Sequence, residues 1–153
     1  MHDLSSEQRS ACIIVGVDGS ECSKTALRWA ISQARLTGAS VEAFAAWQDP
    51  VMYGYAYGWA PTSFAGSDSL QAITEKTLAE TVAGVAGSGG QAVTIRTRVV
   101  QGHPTQVLMD AATGAQMLVV GSRGHGTFAG ILLGSVSQHC VQHAPCPVTV
   151  IPQ

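Results

Sequence analysis

The stretch GSRGHGTFAGILLGS, residues 121–135, carries five glycines in fifteen positions and joins an apolar run to a helical one. Glycine loses more conformational freedom on folding than any other residue, so here it should allow something a side chain would obstruct. Backbone N–H groups without neighbouring Cβ atoms can converge on an anion. A helix starting near Ser135 would add its unpaired N–H groups and the positive end of its dipole. The hydroxyls of Ser135 and Ser137 can donate as well. Such a donor set fits a phosphate chain. A glycine-rich turn with no ligand is equally consistent with the glycine count alone. The loop is not a Walker A loop, because no Gly-Lys-Ser/Thr ends it. Nor is it the dinucleotide fingerprint, which follows a first strand.

Other chemistry-bearing residues fall into two groups. Asp18 and Ser20 follow the first apolar run, CIIVGV, in the sequence VDGS. His139, Cys140, His143 and Cys146 crowd into HCVQHAPC. Zinc ligands usually come as one closely spaced couple paired with a second couple elsewhere, and no second couple follows. No metal is expected. Cys12 and Cys140 are expected to pack as small reduced hydrophobes.

The elements that must position these groups follow from the hydrophobic periods. CIIVGV (12–17), SVEAFAAW (40–47), AVTIRTRVV (92–100), MLVVG (117–121) and CPVTVIP (146–152) read as strands. Residues 21–36, 69–86, 104–113 and 134–143 read as helices between them, the third opened by Pro104. The first helix should bury Leu27, Ala30, Ile31 and Ala34; the second should present Leu70, Ile73, Thr77, Val82 and Val85 on one side. This alternation predicts one α/β domain: an open, mostly parallel five-stranded sheet with helices on both faces. In such a sheet, ligands bind beyond the carboxyl ends of the strands. Asp18 and Ser20 follow strand one, Ala46 and Trp47 close strand two, Gly102 follows strand three, and Gly121 to Gly134 follow strand four.

Composition narrows the partners. The 153 residues are 46% hydrophobic and only 12% charged, with a net charge of −2. The eight Lys and Arg residues are scattered, which speaks against nucleic acid. So low a charge content favours self-association. No apolar run approaches the roughly eighteen residues of a membrane span. MHDLSSEQRSA lacks the basic-then-apolar order of a secretion signal, so residues 1–10 are expected to be a disordered tail and the protein to be soluble and cytoplasmic. The segment 48–67, with all three tyrosines, is long for a connection. A lid over a ligand, a surface packed on a partner and a loop anchored by its own rings all suit it.

Gly121-x2-Gly124-x9-Gly134-Ser135 resembles the ATP-binding motif of the universal stress protein (UspA-like) family. IIVGVDGSECSKTALRWAISQA is similar to that family's first strand and helix, VVQGHP to the turn after its third strand, and residues 117–152 to its C-terminal signature. The resemblance spans residues 11–153 as one domain and implies a Rossmann-like fold of the adenine nucleotide α-hydrolase type. It implies that Gly16, Val17 and Asp18 hold adenosine and that the backbone of Ala46 meets the adenine edge. Gly121 and Gly124 would then meet ribose and phosphate, with Gly134, Ser135, Val136 and Ser137 cradling the phosphates. ATP, with or without Mg²⁺, is the implied ligand; AMP or a cyclic nucleotide is the alternative. Arg123 and His125 lie where the family motif leaves the residue open, and their chemistry suits phosphate. The resemblance also implies a stress-response role and homodimers formed by pairing of the last strand, 147–151. An exposed apolar edge strand suits such pairing.

Efficient catalysis is not expected. Phosphoryl transfer needs charge stabilisation and a group that orients the nucleophile. The loop has no lysine, and VDGSECS after strand one carries neither SGG-x-DS nor His-x-Gly-His, the marks of catalytic members of this fold. A flavin protein would place its phosphate loop after strand one instead.

Overall fold

β1 (Cys12–Gly16) is the central strand because its run of Ile13, Ile14 and Val15 can be buried on both faces at once, and all three are at most 3% exposed. The structure, a computed structural model, describes residues 11–49, 67–87, 93–124 and 133–152. Along the chain, β1 is followed by α1 (Glu21–Thr37), β2 (Ser40–Trp47), α2 (Ser67–Ala86), β3 (Ile95–Gln101), α3 (Pro104–Ala112), β4 (Met117–Gly121), α4 (Ser135–His143) and β5 (Val148–Ile151). The strand order is β3-β2-β1-β4-β5, and every pairing is parallel. The mostly parallel sheet expected from the sequence is therefore wholly parallel. The chain winds outward from β1 to β3 and then returns to the other side of β1 with β4. The topological switch point thus lies between β1 and β4.

Two cores form, one on each face. α1 and α2 cover the first, which contains Ile13, Val15, Leu27, Ile31, Val41 and Leu78. α3 and α4 cover the second, with Cys12, Ile14, Leu108, Leu118 and Cys140. α1 buries Leu27, Ala30, Ile31 and Ala34, as its period requires. Its ends are well specified: Ser20 caps the first turn and Gly38, left-handed at φ 76°, closes the last.

α2 departs from expectation. Leu78, at 2% exposure, is its anchor in the core, with Val82 and Val85 packed beside it. Ile73 is 59% exposed and Thr77 is exposed too. Ile73, Thr74 and Thr77 in the first half of α2 line a cavity, so they meet open space rather than core. β3 and β5 end a few residues away from their expected limits; β5 begins only after Pro147, which has no N–H for the ladder. Cys12, Cys22 and Cys140 are buried and, with Cys146, are free thiols. Among the described residues, no helix is long and apolar enough to cross a membrane.

Candidate functional site

The strand ends of β1, β2 and β4 open on a cavity of about 490 Å³. Its wall at the switch point starts with Asp18. The carboxylate Oδ1 accepts from the Ser20 N–H at 2.9 Å and from the Ser20 hydroxyl at 2.5 Å. Ser20 Oγ in turn accepts from the Ser23 N–H at 3.2 Å, capping α1. Ser20 therefore fixes Asp18 and the start of α1, and it does not line the cavity.

Two glycines across from Asp18 have steric reasons. A Cβ built on Gly124 would lie 2.6 Å from Asp18 Oδ2, so the β4 loop passes the carboxylate with no room for a side chain. A Cβ on Gly121 would lie 2.8 Å from Cys22 Sγ and 3.0 Å from the Cys22 carbonyl carbon, because the end of β4 presses on the first turn of α1. Cys22 Sγ donates to the Ile151 carbonyl at 3.4 Å, which ties that turn to β5 as well.

The ends of the glycine loop are clasped together. The Ser122 carbonyl accepts from the Gly134 N–H at 2.6 Å and from the Ser137 hydroxyl at 3.1 Å. Ser137 Oγ also lies 3.0 Å from the Gly134 carbonyl. Ser137 is 2% exposed. Its single hydroxyl hydrogen is engaged by backbone carbonyls, so the side chain clasps the two ends of the loop. α4 begins at Gly134, whose φ/ψ is extended, and no side chain caps its first turn. Ser135, Val136 and Ser137, the first residues of this helix, line the cavity, so the positive end of its dipole lies beside it. Arg123 lines the same region, half-buried.

Of the residues singled out in the sequence, the structure brings Gly16, Val17, Asp18, Ala46, Gly121, Arg123, Gly124, Gly134, Ser135, Val136 and Ser137 around this one cavity. Gly102 lies in the turn into α3, its N–H bonded to the Trp47 carbonyl at 2.8 Å, and is outside the lining. His125 and most of the tyrosine-rich segment, 50–66, lie outside the described residues. Sequence reading missed the flanks. α3 contributes Pro104, Val107 and Leu108; α2 contributes Ile73, Thr74, Thr77, Leu78 and Thr81. The available signal was three threonines at 74, 77 and 81, all on one helical stripe.

The universal stress protein family matches residues 12–152, nearly the whole sequence. The chain belongs to that family. A universal stress protein of Mycobacterium tuberculosis, Rv1996, is 34% identical over 162 residues, covering 98% of this chain and 50% of its own length. A second from that organism, Rv2623, is 36% identical over 143 residues, covering 93% of this chain and 45% of its own. The chain spans about half the length of the curated relatives it matches. Among solved structures, the universal stress protein UspA from Lactobacillus plantarum aligns with a TM-score of 0.64 at 23% identity, covering 94% of this chain and 98% of that one. A universal stress protein in complex with cAMP aligns with a TM-score of 0.57 at 25% identity, covering 92% and 94%. The fold is shared throughout this group.

Proposed function

We propose that this chain binds an adenine nucleotide, ATP, at the carboxyl edge of its sheet and acts as a nucleotide-responsive regulatory subunit in a stress response. The observation that carries the reading is the uncapped N-terminus of α4. It opens on the cavity beside Arg123 and the close-packed Gly124. Family membership and the relative solved with cAMP support a nucleotide as the ligand. Ser135 and Val136 offer backbone N–H groups to the phosphates, while Gly16, Val17 and Ala46 line the part left to adenosine. Mg²⁺, where present, rides on the phosphates, which suits an ion that usually keeps its waters and few protein ligands. The second reading is a cyclic nucleotide, favoured by that same relative.

The protein binds rather than turns over. Asp18, the acidic residue of the cavity, is engaged by Ser20 and pressed against Gly124, so it serves as a strut. Hydrolysis of ATP with Mg²⁺ runs slower than about one per minute, far under ordinary enzyme rates. A rate of several per second abolished by Asp18→Ala would overturn this. To test binding, the purified chain is treated with acid and any released ligand identified by mass spectrometry; excess ATP and cAMP are then compared by thermal shift. At a hundred times its dissociation constant, the true ligand adds about 2.7 kcal/mol of stability. Absence of any released nucleotide, together with no shift for either ligand, would remove the reading.

A further inference from the structure

The four chemistry-bearing side chains of HCVQHAPC part company in the fold. Cys140 is fully buried in the core under α4, and Cys146 packs against the same core with Sγ 3.5 Å from the Pro147 carbonyl. Burial raises both thiols above their ordinary range, so neither readily gives the thiolate that a metal takes from cysteine. His139 and His143 stand exposed on the outer surface of α4 instead. Their spacing of four residues puts both on one helical stripe. The two rings lie 4.6 Å apart, centre to centre, with their planes tilted by 44°. Cys140 anchors this part of α4 on the sheet. Its carbonyl accepts from the Ala144 N–H at 2.9 Å and closes the last turn, so helical geometry reaches through His143.

That separation has a chemical meaning. A metal held at about 2.0–2.1 Å by one nitrogen of each ring sets the ring centres about 4.5 Å apart at a right angle and about 5.2 Å apart at the tetrahedral angle. The observed 4.6 Å matches the right angle, the arrangement of neighbouring ligands around tetragonal Ni²⁺. Spinning an imidazole about its Cβ–Cγ bond leaves the ring centre in place, so either ring can turn a nitrogen toward an ion without moving the helix. Imidazole suits nickel, copper and zinc, whereas magnesium and calcium take oxygen ligands. The last turn also carries the negative end of the α4 dipole, which favours a cation there. The sequence argued against a metal because a closed zinc site needs a second couple of ligands; a two-ligand surface site needs none. Among the described residues no group of three or more His, Cys, Asp or Glu gathers to hold a metal, so water completes the coordination.

We infer that His139 and His143 form a bidentate surface site for a late first-row divalent cation, Ni²⁺ ahead of Zn²⁺. It lies at the end of α4 opposite the residues that line the cavity, and it stands whether or not a nucleotide binds there.

The test titrates NiCl₂ into the full chain by calorimetry, at about pH 7.5, where an ordinary imidazole is neutral. No nucleotide is present, because phosphates bind metal too. One Ni²⁺ per chain is expected, with ZnCl₂ weaker and MgCl₂ silent. His139→Gln and His143→Gln should each lower the Ni²⁺ affinity at least about tenfold, since either turns a chelate into a single bond. Two further variants ask whether spacing is what matters. Added to His143→Gln, Gln142→His puts a ring three residues from His139, still on its stripe, and should recover most of the affinity. Added to the same background, Val141→His restores the number of histidines but lies about 200° round the helix from His139, and should recover none. Circular dichroism checks that each variant is folded. Affinity that survives either single substitution would put the ion on other donors and overturn the inference. So would equal recovery by Val141→His and Gln142→His, or a natural chain that takes up no Ni²⁺.

Discussion

At the scale of single residues, two glycines of one motif have different reasons and should fail differently. Gly124 faces the end of an exposed carboxylate, while Gly121 faces the backbone of a buried helical turn. For Gly124→Ala, Asp18 has to swing off its bonds to Ser20. Since Asp18 is exposed, stability should change by less than about 1 kcal/mol, the ordinary range for surface substitutions. ATP affinity should nevertheless fall at least about tenfold, because both sides of the cavity mouth move. For Gly121→Ala, nothing flexible can yield except Cys22 Sγ, and the carbonyl carbon behind it cannot. Overpacking of that kind costs about 1–3 kcal/mol. Chemical denaturation and titration calorimetry on both variants separate the two; equal stability losses would show that the contacts differ less than the geometry says. Cys140 gives a third residue-scale expectation. Burial, reinforced by the nearby Cys146, pushes its thiol up from 9.0 to about 11. The folded state then keeps a proton that the unfolded chain gives up. Its contribution is complete below pH 9 and disappears as pH rises through 11, at a slope of at most about 1.4 kcal/mol per pH unit. Denaturant midpoints measured from pH 8 to pH 10.5 should fall more steeply for the natural protein than for Cys140→Ala.

Among the elements, α4 shows how a short helix can be fixed at its start without a side-chain cap. Ser137 supplies the fixing from inside the first turn, through the Ser122 carbonyl. In Ser137→Ala that carbonyl still accepts from Gly134, and the Gly134 carbonyl still accepts from Gln138 at 2.9 Å. Neither is orphaned, so the loss should be about 1 kcal/mol rather than the larger penalty of a buried unmet acceptor. ATP affinity should drop severalfold with it, as the loop ends separate; a melting-curve and binding comparison would expose a variant that loses stability alone. The elements also mark what was legible in the sequence. β1, α1 and β4 were readable because each is decided locally: a β-branched run or a strict apolar stripe has one way to be buried. Asp18 and the described glycines could be placed at strand ends for the same reason. α2 was readable as a helix, but not which of its turns would meet core. Its apolar residues gave a stripe containing Ile73 and Thr77, yet which turns of that stripe meet core depends on how far the helix extends beyond the sheet, and no local pattern encodes that. The role of Ser137 was hidden similarly. Its hydroxyl finds a carbonyl fifteen residues back only after β4 and α4 have docked.

At the scale of the whole molecule, the sheet ends in two strands that have no outer partner among the described residues, and they differ. β3 exposes Arg96, Thr97 and Arg98, a charged and polar strand of the kind that resists edge-to-edge pairing. β5, VTVI, has no charge, and its register with β4 determines which of its backbone groups are open. The carbonyls of Pro147 and Ile151 accept from Leu118 and Ser122 at 2.9 and 2.8 Å, so the odd-numbered residues face β4. In a parallel ladder alternate residues face alternate neighbours, which leaves the N–H and C=O groups of Val148 and Val150 directed outward. An uncharged edge with free backbone groups is a template for a second copy of the same strand. The proposal that a second copy pairs along β5 predicts a selective lesion. Val150→Pro removes an outward N–H while leaving the bonds to β4 in place, since proline lacks only the donor that faces away. Light scattering at tens of micromolar should give a dimer for the natural chain and a monomer for Val150→Pro. The equivalent substitution in β3, Thr97→Pro, whose N–H also faces away from the neighbouring strand, should leave the dimer intact if the chain stays folded by circular dichroism. A natural chain that scatters as a monomer, or a Val150→Pro variant that stays dimeric, would place the interface elsewhere or nowhere. Dimers dissociated by this one donor would show that the low charge of the chain matters most along a strand of four residues.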